Sequence, residues 1–116
     1  MVATPAVTEI RTVPYFLVLL RRGENHDAAA EHFAAHVQFV GTMEAASTVL
    51  LGGSFGSPID GADGAYLLHV ASRTEAEDVA SQDPLVKARV CEAKIVEWNL
   101  VGVSRGAIDA AFGDEG

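Results

Sequence analysis

The residue types best suited to acid/base chemistry are a histidine and an aspartate far apart in the chain, His36 and Asp83. An imidazole titrates near neutrality, so it can take or give a proton at working pH. A carboxylate bonded to the ring would hold it in place and favour one tautomer. His36 falls near the centre of an apolar helical stripe, where a polar ring is unfavourable unless it is paired or used. Asp83 stands in an Asp-Pro step, the signature of a capped helix start. A carboxylate has two oxygens, so capping and orienting a ring are compatible. Each residue also has a plainer role: His36 as a core histidine satisfied by a backbone carbonyl, Asp83 as a cap and nothing more.

Other polar groups are weaker candidates. His32 lies one turn before His36, a spacing that resembles the two histidines of H-E-x-x-H. The segment reads His32-Phe33-Ala34-Ala35-His36, without the glutamate base and without an evident third ligand, so no metal is expected. His32 remains a candidate substrate contact. His69, between Leu68 and Val70, is a candidate to line a cavity or to pack on a sheet face. Gly52-Gly53-Ser54-Phe55-Gly56 has no phosphate-binding lysine and no helix directly after it. Its glycines suit a backbone bend beside a pocket, and Ser54 could donate a hydrogen bond there. Cys91 reads as a small core residue, and Trp98 as core or dimer interface.

These groups need elements to position them. Tyr15 to Leu20 is an unbroken apolar run ending at Arg21-Arg22-Gly23, which predicts a strand buried on both faces. Asp27 to Ala46 predicts a helix with Asn25 or Asp27 as cap. At about 100° per residue, Phe33, His36, Val37, Phe39, Val40 and Met43 share one side. Thr48 to Leu51 predicts a second strand running into the glycines, followed by a loop over Gly56 to Gly64. Ala65 to Ala71 predicts a third strand. Thr74 and Glu77 predict a capping box opening a short helix, and Asp83-Pro84 opens one further turn. Ala93 to Val103 predicts the last strand. Residues 1–13 read as an N-terminal arm, and 105–116, rich in small and acidic residues, as a mobile tail.

The order β-α-β-β-α-β is the split βαβ or ferredoxin-like arrangement, an α+β fold with a four-stranded antiparallel sheet. Two helices cover one face of such a sheet. The all-apolar first strand asks for cover on the other face too, and a second copy of the chain is the simplest cover: a homodimer through the sheet face.

Composition narrows the function. A chain of 116 residues suits one domain, and 49% hydrophobic residues allow a sizeable core. A net charge of −8 argues against nucleic acid or an anionic membrane as partner. A single cysteine excludes an internal disulfide and fits a cytoplasmic setting. The N-terminus lacks the pattern of a signal peptide, and no apolar run is long enough to span a bilayer.

From Pro14 to Val103 the chain resembles the YCII-related (YciI-like) family of the dimeric α+β barrel superfamily. The likeness is carried by the run Tyr15 to Leu20, His36, Leu50-Leu51-Gly52-Gly53, Asp83-Pro84-Leu85 and Val96-Glu97-Trp98. It implies that His36 and Asp83 are the active-site pair. Two positions depart from the family pattern: Phe33 stands where many members have arginine, and Gly53-Ser54 where many have Gly-Pro. A characterised relative eliminates chloride from a chlorinated hydroxyquinol, and superfamily relatives include isomerases and cofactor-free monooxygenases. The resulting expectation is a small enzyme without a cofactor, performing elimination or isomerisation on a small, partly apolar or aromatic metabolite. The alternative is a non-catalytic dimeric module that binds a small molecule or a protein.

Overall fold

The computed structural model describes residues 13–112. The chain divides into two compact units: Pro14–Trp98, and a smaller one whose described residues are Val13 and 99–112. The expected N-terminal arm lies, but for Val13, outside the described residues.

β1 (Val13–Arg22) leads through a 3-10 turn (His26–Ala28) into α1 (Ala29–Ala45). The hairpin β2 (Val49–Ile59) and β3 (Ala62–Leu68) follows, then α2 (Arg73–Ser81), α3 (Pro84–Lys87) and β4 (Cys91–Leu100). The strands form one four-stranded antiparallel sheet in the order β2-β3-β1-β4, the ferredoxin-like order expected from the sequence. Among the described residues, no helix is long and apolar enough to cross a membrane.

β1 buries both faces, as its continuous apolar run requires. Phe16, Val18 and Leu20 point toward the helices and pack with Tyr66, Leu68, Ala76, Ala80, Leu85 and Val90. Complete burial of side chains such as Val18 and Leu68 stabilises the fold by about 1.5–3 kcal/mol each. Leu19 lies on the opposite face with Ala62 and Ala65, flanked by Leu17, Phe55 and Val96.

The hairpin differs from its expected form. The segment Gly56 to Gly64 was expected as a loop, but β2 continues to Ile59 and turns back through Asp60-Gly61 alone. Both turn residues have positive φ, 51° and 75°, the backbone of a two-residue hairpin whose twist matches its strands. Pro58 is tolerated because β2 is an edge strand, and the register shift between Ser54 and Ile59 absorbs the irregularity.

The helix caps also shift. The cap position of α1 is Ala28, which supplies no side-chain cap; Asn25 instead donates its amide to the Ala88 carbonyl at 3.0 Å. α2 is capped by Ser72, two residues before the expected Thr74. Ser72 accepts from the Glu75 amide, and Glu75 reaches back to the Ala71 amide at 3.2 Å. The expected cap at Asp83 is present, with Pro84 opening α3. In the smaller unit, Arg105–Phe112 forms helix α4, within the segment read from the sequence as a mobile tail.

Candidate active site

α1 packs on the sheet along one flank only. Phe39, Val40 and Met43 join the core, while Phe33 and Val37 are 56% and 52% exposed. The gap beside that second flank is a cavity of about 480 Å³ that follows α1 from His26 to Glu44. Its floor is the hairpin, with Gly52, Ser54, Gly64 and Tyr66 facing the helix. Small residues there are obligatory. A Cβ on Gly64 would lie 2.7 Å from the Gly53 carbonyl oxygen, and one on Gly52 would lie 2.9 Å from the Tyr66 Cβ.

His36 lines this cavity midway along α1. Its Nδ1 lies 2.9 and 3.0 Å from the two oxygens of Asp83. A carboxylate only accepts, so Nδ1 carries the proton in this contact and the ring's lone pair stays on Nε2. Among the described residues Nε2 has no hydrogen-bond partner. The ring is 14% exposed.

Asp83 is completely buried behind the ring and does not reach the cavity. It also accepts from the Tyr66 hydroxyl at 3.0 Å and from the Leu85 amide at 2.9 Å. Every group facing this carboxylate is therefore a donor, and no described buried side-chain polar atom is left without a partner. The constellation draws on three elements: α1 supplies His36, the start of α3 supplies Asp83, and the helix-facing side of β3 supplies Tyr66.

Burial raises the Tyr66 hydroxyl far above its ordinary titration range, and the charge and hydrogen bond of Asp83 add to the effect. Burial likewise pushes the Cys91 thiol up to about 11, with Asp83 and then Asp63 contributing. Both groups are held protonated, so neither serves as a nucleophile near neutrality.

The native state holds these two protons more tightly than the unfolded chain does. Raising the pH therefore strips the unfolded chain first. The stability they contribute is complete below about pH 9, the ordinary thiol value, and is lost as the pH climbs toward 11 and beyond. Urea midpoints should fall over that alkaline range, and Cys91→Ala should flatten the early part of the fall. A midpoint independent of pH between 9 and 11 would contradict this placement of the thiol.

The remaining sequence candidates divide. Ser54 lines the cavity on β2, opposite Gly64. His32 does not line it; its ring stands 3.5 Å from the neighbouring Glu31 carboxylate. His69 does not line it either, because it follows β3 and stacks on Tyr15 with ring centroids 5.0 Å apart. Tyr66 was not singled out from the sequence, where a tyrosine inside an apolar strand reads as core. Its position two residues before Leu68, on the helix-facing side, is the signal that was available.

A four-stranded ferredoxin-like sheet, a cavity under its first helix and a histidine held from behind by a buried carboxylate define a small α+β domain built around one pocket. The chain belongs to the YCII-related domain family, whose match spans residues 14–99. It is 33% identical over 85 residues to the uncharacterized protein YjpA of Bacillus subtilis (strain 168), covering 73% of this chain and 94% of that one. Among solved structures it is similar to 5-chloro-2-hydroxyhydroquinone dehydrochlorinase (TftG) from Burkholderia phenoliruptrix AC1100, in complex with 2,5-dihydroxybenzoquinone. The TM-score is 0.56 at 17% identity, with 74% of this chain and 93% of the other covered, a likeness of fold.

Proposed function

We propose that this protein is a small-molecule enzyme that uses His36 as its general base and acid, in an elimination or isomerisation on a small, partly aromatic compound. The observation that carries this reading is the unpaired Nε2 of a ring that lines an open cavity while its other nitrogen is fixed by a buried carboxylate. In an elimination, Nε2 takes a proton from the bound compound. The electron pair left behind forms a new double bond, and the leaving group departs with its own pair. In an isomerisation the same nitrogen returns the proton at a different carbon. Asp83 is a positioning residue: it keeps the proton on Nδ1 and stabilises the imidazolium formed in either step. Tyr66 in turn positions Asp83. The fold shared with a dehydrochlorinase that binds a small quinone supports the reaction class and the ligand size. The test is chloride release from chlorinated hydroxyhydroquinones by the purified protein. Turnover abolished by His36→Asn with the fold intact supports the proposal. Ligand binding without turnover, unchanged in that variant, would favour the non-catalytic module instead.

We also propose that the sheet face away from the helices packs on a second copy of the chain. Leu19, Leu17, Phe55 and Val96 form an apolar cluster there, and Trp98 is half exposed. Two such faces would bury upwards of about 1,200 Å² in total, enough for a stable interface. Light scattering at micromolar concentration should give twice the chain mass; a monomer mass alone would refute it.

A further inference from the structure

The charges around the cavity are unbalanced in one direction. Neither lysine nor arginine lines it. Arg21 and Arg89, each next in sequence to a lining residue, turn to the Asp60 carbonyl and to Glu24, and the Nε and Nη2 of Arg22 lie 2.9 and 3.0 Å from the two oxygens of the lining Asp63. His26 stands 3.4 Å from the same carboxylate. Asp63, at the start of the α1 groove, is thus largely offset. Phe33, one turn before His36, puts an aromatic ring on the cavity wall, 5.9 Å between ring centroids from the imidazole.

Glu44 closes the other end of the groove and has no cationic partner among the described residues. It sits one residue before the end of α1, whose last turn holds no basic residue. A carboxylate at a helix C-terminus opposes the helix dipole, so stability alone would not select it there. A locally unfavourable charge that opens onto a cavity is the pattern expected of a group kept for binding.

We infer that the cavity selects uncharged or cationic ring compounds over carboxylates and phosphates, with Glu44 as the residue that sets the preference. The inference rests on the cavity being the ligand site proposed above, and it adds the charge class of the ligand. Apolar walls from Phe33, Val37 and Val40 take the ring, and an ammonium or other donor group on it points along α1 toward Glu44.

Three probes of one size separate the possibilities: benzylammonium, benzyl alcohol and benzoate. Each is titrated into wild type and Glu44→Gln, following the backbone amide signals of Gly52, Gly53 and Gly64. In wild type at low salt, benzylammonium should bind about 3- to 10-fold more tightly than benzyl alcohol, and benzoate most weakly. Glu44→Gln should bring benzylammonium to the level of benzyl alcohol without lowering the melting temperature. Added salt should shrink the wild-type preference. Benzoate binding as tightly as benzyl alcohol, or an ammonium preference that survives Glu44→Gln, would overturn the inference. Equal binding of all three would remove the charge selection and leave the ligand site standing. If none of the three moves the cavity signals, the ligand site and the inference fall together.

Discussion

Replacing Asp83 with alanine is expected to destabilise the protein by about 3–5 kcal/mol, more than any other single polar substitution in the domain. The carboxylate is completely buried and accepts from His36, Tyr66 and Leu85. Its loss leaves the Tyr66 hydroxyl buried without a partner, at about 1–3 kcal/mol. It also removes the cap of α3, a further 0.5–2 kcal/mol, roughly. The two effects share one side chain and need not add in full. Tyr66→Phe deletes a single donor and should cost about 1 kcal/mol, because Asp83 keeps its other partners. Chemical denaturation of the three proteins gives the comparison. An Asp83→Ala loss below about 1 kcal/mol would mean that water enters and replaces the carboxylate.

His36→Asn should show the opposite balance: small in stability, large in chemistry. The ring borders the cavity, so truncating it enlarges an existing space instead of opening a sealed void, and Asp83 retains two donors. A cost of about 1 kcal/mol is expected. Turnover should fall by about 10²–10⁴-fold, since an amide cannot exchange a proton near neutrality. The ratio of the two effects is the informative quantity. A stability loss of about 3 kcal/mol with ligand binding unchanged would make His36 a structural tie and not a base.

The pairing of His36 with Asp83 was legible because each residue carried a separate oddity. One was a polar ring on an apolar helical stripe; the other was an acid fixed at a helix start by the proline after it. The third member was not legible. Tyr66 alternates with Leu68 like any core residue, and nothing local shows that its hydroxyl meets a carboxylate 17 positions away. The α1 stripe shows a second limit. Periodicity marks Phe33 and Val37 as facing inward, but it cannot tell a side chain that touches the core from one that walls a cavity. The cap of α2 fails for a different reason. Ser72 with Glu75 and Thr74 with Glu77 both satisfy the same spacing, and only the extended backbone at Ser72 (φ −155°, ψ 163°) decides between them. The long β2 was hidden by Gly56 and Pro58, which end most strands but not one at a sheet's edge.

Asp83 holds together two duties that most proteins assign to different residues. Asparagine caps a helix about as well as aspartate, so Asp83→Asn is a substitution that helix energetics alone would tolerate. Its side chain, however, offers one acceptor and one donor group where the carboxylate offers two acceptors. With the oxygen kept by the Leu85 amide, the amide nitrogen replaces the oxygen that Tyr66 and His36 share; when it donates to His36, the imidazole presents its lone pair on Nδ1 and carries its proton on the cavity side, and the Tyr66 hydroxyl loses its acceptor. The same backbone, with the same helix start, would then hold a hydrogen-bond donor where it had held a base. In this domain the polarity of the reactive nitrogen is written in a helix cap, and drift among residues that are equivalent as caps would silently reverse it.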